Sequence, residues 1–518
     1  MLKSIVSTFL FAASFSAFSA VSYGVPPQIS EPFMTEEFYK AELAGAKKAS
    51  KGRGLAQSDR VDYATAFEDD FKNLSSEFIG GNIWKDGKKT ATTLVGIQNS
   101  EDFGALIEKY NSDAVFNNLS VQGKWTVAQM SMLVPWRGFL TRARPLIENS
   151  RAPFVHSFIV TWLRSVNAGI NVFVPTPQWT AGFDYVAKPY VGMPKDITTD
   201  MELHQFMREE LLPALVKLSR RLDSIAYTPV DGKKVVNPNF KPFYFDNKLI
   251  FSTSKFVDHQ DRFVVLDRAE LHALISNVNL TIAGGYSSLA YNWSNLFNTI
   301  NGMAQVFGFN NLLSSNPDKM TAEKRVQKIK NSKSLFTLLP VSKNLPNGGA
   351  DWTKAAYPWF KEGVRHGRLA WNYTKNSQQG MNESYPILDP RSFTPFTRII
   401  DTSFENISNL IEGHGVRSSL VDGEEVQVNF REIFDNPPKD MKDFLAVNFE
   451  GGPSEIKDPS TGRTYRNYKL GNPKAWNLNA YRAYFPNIDQ TDVPKAARIL
   501  SQTWGGNIFA VALFPALF

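Results

Sequence analysis

The chain has 518 residues, of which 43% are hydrophobic and 21% are charged, and its formal net charge is +7. The hydrophobic fraction excludes an intrinsically disordered chain, and so small a charge over this length excludes the concentrated basic surface of a nucleic-acid-binding protein. Because the chain contains no cysteine, it has no disulfide, thiolate metal site or cysteine nucleophile. A large cysteine-free chain fits a bacterial cell-envelope or secreted protein.

The first 22 residues have the composition of a secretory signal peptide. Lys3 gives a short positive start, residues 4–18 are uncharged and mostly apolar, and small residues follow. The apolar stretch is shorter than the ~20 residues of a membrane-spanning helix, so we expect residues 1–22 to be cleaved rather than kept as an anchor. The mature protein is predicted to be exported, and to be periplasmic, outer-membrane-associated or secreted.

The sequence predicts a helical region over residues 23–225. Residues 199–202 have the spacing of a capping box, and apolar residues then recur every three or four positions as far as Leu222. Pro213 lies inside this pattern, so we expect a kink or a division into two helices there. Helical periodicity also covers residues 37–48, 102–110 and 125–139.

The composition changes after this region. Residues 226–270 combine turn signals with short runs rich in Val, Ile, Phe and Tyr, which predicts a β-rich segment. Residues 271–415 are predicted to be helical around an uncharged centre, and residues 416–518 to mix helices and strands. The expected fold class is therefore α+β, predominantly helical, with short antiparallel β segments near residues 227–267 and 420–475.

The uncharged centre needs an explanation. From Leu271 to Pro317, 47 consecutive residues include no Asp, Glu, Lys or Arg. Apolar side chains from Trp293 to Phe307 fall on one side of a predicted helix and asparagines on another. Because frequent polar residues exclude a membrane span, the run is either a core helix with satisfied polar groups or a cleft wall for a neutral polar ligand such as a glycan. The candidate ligand-binding residues are Tyr291, Asn292, Trp293, Asn295, Asn298, Trp371 and Tyr373.

Motifs for common catalytic chemistries are missing from the sequence. It has no phosphate-binding loop, no nucleophile elbow and no zinc-binding pair of histidines at helical spacing. A glycoside hydrolase needs two carboxylates across a sugar-binding cleft, and residues 369–407 combine carboxylates with aromatic residues. The candidate acid and base in this stretch are Glu383, Asp389, Asp401 and Glu405.

One local cluster could offer ligands to a cation. Asp258, His259 and Asp261 would supply two carboxylates and an imidazole. A solvated turn between two strands explains the same residues, and this is the interpretation we adopt. We therefore expect no metal site and no cofactor.

The C-terminal stretch from Ile508 to Phe518 is uncharged and strongly apolar. An exposed tail of this kind would promote aggregation, so we expect it to be docked. The protein's own core is the default docking place, and peripheral contact with a membrane or a partner is the alternative.

Three functions remain open. The favoured one is an exported cell-envelope or secreted binding protein whose ligand is a glycan, another envelope component or a protein partner. The second is a secreted hydrolase that acts on a glycan through paired carboxylates. The third is an outer-membrane-associated structural protein held through residues 508–518. The favoured interpretation is not catalytic and involves no nucleic acid.

Overall fold

The fold is α+β and predominantly helical, as the sequence predicts. It is taken from a computed structural model of the chain. None of the described helices is long and apolar enough to cross a membrane. The described residues are 26, 33–48, 62–149, 177–230, 233–238, 240–246, 263–296, 322–375, 397–412, 415–421, 423–450, 454–457, 464–467 and 472–503.

The first half of the chain is built mainly from short helices. The predicted helix over residues 37–48 is confirmed, and so is the one over residues 102–110. The predicted helix over 125–139 is interrupted, because α6 ends at Ser131 and a 3-10 turn at Val134–Trp136 precedes α7. The helices are α1 (Glu36–Lys48), α2 (Tyr63–Ala66), α3 (Asp69–Ile79), α4 (Ser100–Asn111), α5 (Asp113–Asn117), α6 (Val121–Ser131), α7 (Phe139–Asn149), α8 (Pro177–Ala187), α9 (Asp200–Phe206) and α10 (Leu212–Ala226).

The second half is built around two long helices. Residues 271–415, predicted to be helical, contain four of the described helices or parts of them, α11 to α14. The helices are α11 (Arg268–Leu289), α12 (Ala322–Lys330), α13 (Ala350–Lys375), α14 (Thr397–Ile411), α15 (Glu432–Asp435), α16 (Leu478–Arg482) and α17 (Asp492–Thr503).

The strands form separate antiparallel pairs. Among the described residues there are six two-stranded sheets, and none joins another. The predicted β segments near 227–267 and 420–475 are confirmed. The pairs are β1 (Gly81–Lys85) with β2 (Lys88–Leu94), β3 (Tyr227–Val230) with β4 (Lys233–Val236), β5 (Phe243–Asp246) with β6 (Phe263–Leu266), β7 (Arg417–Val421) with β8 (Glu424–Val428), β9 (Asn448–Glu450) with β12 (Asn472–Ala475), and β10 (Ser454–Lys457) with β11 (Thr464–Asn467).

The β1–β2 hairpin was not predicted from the sequence. Its turn is formed by Asp86 and Gly87, whose φ angles are 52° and 73°, as in the type I′ turns that suit a two-residue hairpin. Trp84 anchors the hairpin on α3, because the Asn73 side chain bonds to both its backbone N–H (2.7 Å) and its carbonyl (2.9 Å). The hairpin is thus attached to a helix rather than to another sheet.

The predicted break at Pro213 takes the form of a π-turn. The capping box that starts α9 is present, with the Glu202 carboxylate accepting the Thr199 N–H at 3.0 Å. The helix then widens into a π-turn over Met207–Leu211 and continues as α10 with Pro213 in its first turn. The wider turn accommodates the ring and the missing N–H of the proline.

The central element is the antiparallel pair formed by α11 and α13. Asp267 and Glu270 form a capping box at the start of α11. The two helices approach closely at Gly363, where a Cβ would lie 2.8 Å from the Leu280 side chain. The Ser276 hydroxyl donates to the Gly363 carbonyl at 2.7 Å across this contact. A glycine at this position is therefore required by the packing.

The described part of the uncharged run is largely buried. On α11, Leu271, Ile275 and Val278 are fully buried, whereas Asn277 is exposed. The helix predicted farther along is wrong at residues 291–295: Tyr291 forms an isolated β-bridge with Leu338, and Asn295 has a φ of 73°. A left-handed residue cannot continue a right-handed helix. Residues 297–317 lie outside the described residues.

One hydrophobic core extends through all the predicted regions beyond the signal peptide. Its buried members run from Met34 in the N-terminal segment to Leu500 on α17. The α11–α13 pair lies within this core, and α1 and α10 both pack on it. This arrangement brings together side chains that are far apart in the sequence.

Candidate functional site

Ionisable side chains are buried where α11 and α13 meet α1, α10 and the β3–β4 hairpin. Proteins rarely bury such groups unless they are paired, because taking charge out of water is costly. Ionisable groups with shifted pKa values are concentrated at functional sites. We call this cluster the histidine network. Its members are Glu42, Asp223, Tyr227, Lys234, His272, Glu362 and His366.

The centre of the network is a direct contact between two imidazoles. His272 on α11 and His366 on α13 are both 0% exposed, and their Nδ1 atoms are 2.9 Å apart. A contact this short needs one N–H donor and one bare nitrogen acceptor, so the histidine pair shares one proton across it. The Tyr373 ring stacks on His272, with the ring centroids 5.6 Å apart.

Glu42, which comes from α1, lies at one end of the histidine pair. Its Oε1 is 3.2 Å from His272 Nε2, which is ion-pair distance but lacks the alignment of a hydrogen bond. Its Oε2 accepts the Tyr227 hydroxyl at 2.8 Å. Burial acts to raise the pKa of Glu42, but its contacts with His272 and Tyr227 outweigh burial and hold the pKa below its ordinary value. Glu42 is therefore a buried anion at neutral pH.

Two more carboxyl groups and a lysine lie at the other end of the pair. His366 Nε2 is 3.9 Å from Asp223 Oδ1 and 3.8 Å from Glu362 Oε1, and Lys234 forms an ion pair with Asp223. Burial raises the pKa of both carboxyl groups, against the attraction of Lys234. Asp223 and Lys234 keep 17% and 18% of their side chains exposed, so the network reaches the surface at this end.

His366 is neutral over most of the pH range. Burial, reinforced by repulsion from His272, lowers the pKa of His366 to about 3. The Nε2 atoms of both histidines lack a hydrogen-bond partner. Within the described ranges, no group of three or more His, Asp and Glu side chains is arranged to hold a metal ion. The chemistry that this arrangement suits is holding and moving a proton.

The network also holds residues 33–48, which we call the N-terminal segment. The Glu362 carboxylate accepts the Met34 N–H at 3.0 Å. Arg365, one turn from Glu362 on α13, donates to the Met34 carbonyl at 2.7 Å and forms ion pairs with Glu36 and Glu412. The polar contacts of the segment with the core are thus made largely by groups that can change charge.

Apolar contacts complete the docking of the N-terminal segment. The Phe33 ring meets Trp359 edge-on with centroids 5.1 Å apart, and Phe38 meets Tyr227 at 5.3 Å. Ala46, near the end of α1, is fully buried. The segment therefore covers one side of α13 and shields the histidine pair from solvent.

Several of the predicted ligand residues lie just beyond the end of α11. Tyr291 and Trp293 are buried, and the Trp293 ring packs edge-on against His204. Asn292 is partly buried, and its side-chain oxygen accepts the Ser294 N–H at 2.9 Å. All of these contacts are with the protein's own groups.

Asn295 differs from these residues because it is exposed. Its backbone N–H donates to Asp200 Oδ2 at 3.1 Å, and burial raises the pKa of Asp200 to about 6. Asn298 lies outside the described residues. The predicted asparagine series is therefore described only at its first two members.

The other predicted ligand residues lie on α13, next to a predicted catalytic carboxylate. Trp371 Nε1 donates to Asp401 Oδ1 at 2.7 Å, and Lys375 forms an ion pair with the same oxygen. Asp401 and Lys375 keep 41% and 25% of their side chains exposed, while Tyr373 connects this region to His272. We call Trp371, Tyr373, Lys375 and Asp401 the Trp371–Asp401 patch.

The remaining predicted site residues are less informative. Glu405 lies on α14 one turn after Asp401 and is exposed. Outside the described residues lie Glu383, Asp389, Asp258, His259, Asp261 and the stretch from Ile508 to Phe518.

The structure separates the predicted ligand residues into two groups. Tyr291 and Trp293 follow the C-terminal end of α11, whereas Trp371 and Tyr373 lie beside its N-terminal end. The part of α11 between His272 and Leu289 is about 26 Å long at 1.5 Å per residue. A single small ligand cannot contact both groups, and the two therefore belong to different places on the molecule.

Sequence reasoning missed the histidine network. Its members come from six separate elements, so no local motif joins them. Two signals were available: His272 is the single histidine within the uncharged run, and Glu362 and His366 are one helical turn apart on α13. Neither signal identifies the partners on α1, α10 and β4.

Comparisons of the chain with protein-family models, with curated proteins and with solved structures found no match.

Proposed function

We propose that this protein is an exported component of a bacterial cell envelope that binds a glycan-bearing surface component through the Trp371–Asp401 patch. Export is supported by the signal-peptide composition of residues 1–22 and by the lack of cysteine. Both are properties of the sequence. The residues of the binding site lie on α13 and α14.

The observation that carries the binding proposal is the shared carboxylate oxygen of Asp401. It accepts the Trp371 indole N–H and pairs with the Lys375 ammonium, and the charged groups remain partly exposed. Polar ligands are recognised where fixed hydrogen-bonding groups lie beside aromatic rings. Here the partners of Asp401 fix the carboxylate in position, and its second oxygen is left to accept a sugar hydroxyl.

Cell fractionation tests the export half of the proposal. Native cells are separated into cytoplasm, periplasm, membrane and medium, and the membrane pellet is washed with high salt and then with detergent. The proposal expects the mature protein outside the cytoplasm, shortened by about 22 residues as a signal peptide requires. Full-length protein confined to the cytoplasm would exclude it.

Binding to isolated cell-wall glycan and surface polysaccharide tests the other half. Asp401→Asn removes the charge of Asp401 at nearly constant volume, and Trp371→Phe removes the indole N–H but keeps an aromatic ring. The dissociation constant should rise about tenfold for each if the patch holds the ligand. Asn409→Ala, an exposed change on the same helix, is the matched control. Equal binding by all three variants would rule out the patch.

The same variants separate binding from hydrolysis. A glycan hydrolase that uses Asp401 and Glu405 would release reducing ends from the polysaccharide, and both Asp401→Asn and Glu405→Gln would abolish this release. A binding protein retains the glycan unchanged, and Glu405→Gln leaves its affinity unaltered.

A further inference from the structure

The N-terminal segment and the histidine pair depend on each other. Glu42 lies on the segment and faces His272, while Glu362 holds Met34 and faces His366. One end of the pair therefore contacts the middle of the segment at Glu42, and the other end lies beside Glu362, which binds the start of the segment at Met34. A change in the protonation of the pair acts on both contacts at once.

The contact between the two Nδ1 atoms limits how many protons the pair accepts. One proton between the two nitrogens gives a hydrogen bond, as the 2.9 Å distance requires. If both imidazoles were fully protonated, each Nδ1 would carry a hydrogen directed at the other. The doubly protonated pair is thus incompatible with the docked geometry, and it needs the rings to separate.

We propose that the histidine pair makes docking of the N-terminal segment depend on pH, so that residues 33–48 leave the core as a unit when both imidazoles become protonated, and uncover the side of α13 on which they lie. The segment is suited to this because the carboxylates at its polar contacts, Glu36, Glu42 and Glu362, can change charge.

The charged and titratable groups around the pair come from every neighbouring element. They are Glu36 and Glu42 from α1, Asp223 from α10, Tyr227 from β3, Lys234 from β4, Arg268 from α11, Lys361, Glu362, Arg365, Arg368 and Tyr373 from α13, and Glu412 after α14.

Their contributions have opposite signs. His366 has a lowered pKa when docked, so exposure to water lets it take up a proton, and opening becomes more favourable as the pH falls below its ordinary value of 6.5. Asp223 and Glu362 have raised pKa values when the segment is docked. Below those raised values they hold a proton that opening makes them release, so they make opening less favourable as the pH falls. Glu42 and Glu412 reinforce His366, but only near and below pH 4.5.

The resulting pH dependence has a defined limit. One proton taken up on opening raises the opening equilibrium constant by at most about tenfold per pH unit. Asp223 and Glu362 weaken this response wherever their raised pKa values leave them protonated in the docked state. The response is therefore expected to begin below pH 6.5 and to be shallower than this limit.

Single cysteines report the opening directly, because the chain has none of its own. Ala46→Cys places a thiol at a fully buried position on α1, and Ala128→Cys places one at a fully buried position on α6, which packs on α3, α4, α5 and α10. The full-length mature protein is labelled with an aromatic disulfide reagent between about pH 5 and pH 7.5. Each rate is divided by the rate for the same variant in urea at that pH, which removes the intrinsic reactivity of the thiol.

The proposal expects the Ala46→Cys thiol to label faster than the Ala128→Cys thiol at every pH. The ratio of the two normalised labelling rates should rise by up to about tenfold per pH unit as the pH falls below 6.5. His366→Gln, which cannot titrate, should flatten this rise. A ratio that stays constant or falls with falling pH overturns the proposal, and this result needs only the two cysteine variants. Equal labelling of the two thiols overturns it as well, because the segment then opens only with the whole fold.

Discussion

The two ends of the α11–α13 pair are built from different chemistry. At one end, His272 and His366 meet among carboxylates, and most of the contacts are polar. At the other end, Tyr286 packs on Trp352 with ring centroids 5.5 Å apart, and the following residues Tyr291 and Trp293 are buried aromatic side chains. The same two helices thus pass from a polar to an aromatic interior over about 26 Å.

Stability and its dependence on pH arise at different ends of the helix pair. Buried aromatic rings contribute apolar area and stacking that hardly depend on pH. Buried ionisable groups contribute little net stability, because desolvation offsets their attraction, but they tie folding to the proton concentration. We therefore expect the aromatic end to fix the helix pair and the polar end to carry its regulation.

The largest effect is expected at the aromatic end. Trp352→Ala removes a side chain that is almost fully buried, and it should lower the free energy of unfolding by about 3–5 kcal/mol. Urea denaturation at pH 5 and at pH 7.5 measures this loss, which should be the same at both values. A loss that changes strongly with pH would mean that the aromatic end is not independent of the ionisable groups at the other end.

A smaller effect compares the buried histidines at the two ends. Burial lowers the pKa of His204 to about 4, and its Nε2 is 3.3 Å from the Leu289 carbonyl. The folded protein keeps His204 neutral, while the unfolded chain protonates it. The free energy of unfolding therefore falls by about 1.4 kcal/mol per pH unit between pH 6.5 and the pKa of His204 in the folded protein.

His204→Gln should remove that slope, which amounts to about 2 kcal/mol between pH 6.5 and pH 5. His366→Gln should remove a similar slope over the same interval, because the folded protein keeps His366 neutral there as well. Urea titrations of both variants and the wild type at several pH values check this. A much smaller change in slope for His366→Gln would show that the folded protein already holds His366 protonated in this interval.

The smallest effect is expected between the two ends. Ser276→Ala removes the hydroxyl that donates to the Gly363 carbonyl, and this should cost about 1 kcal/mol without any pH dependence. Thermal unfolding of the variant beside the wild type measures it. A cost as large as that of Trp352→Ala would contradict the view that the aromatic end dominates stability.

Parts of this fold could be predicted because their signals are local. The capping box at Thr199 and Glu202 and the break at Pro213 act within a few residues, and both are found where expected. The Asp86–Gly87 turn was an equally local signal that was overlooked. The helix expected around Trp293 failed because a packed turn with Asn295 in the left-handed region overrides the helical spacing of its apolar residues.

The candidate site could not be predicted in the same way. Tyr373 was singled out for its aromatic ring, yet its contact with His272 depends on the packing of α11 against α13. Glu42 and Glu362 have no sequence feature that distinguishes them from surface carboxylates. Only the tertiary arrangement shows that they lie at opposite ends of one histidine pair.

The hydrogen bond between Met34 and Glu362 has a consequence for the order of folding. It joins residues that are 328 positions apart, so the loop that must close before it forms is most of the chain. During synthesis, α1 leaves the ribosome long before α13 exists, and it has to remain unattached until its binding surface has been made. The first of the described helices along the chain is thus expected to be among the last to reach its native position.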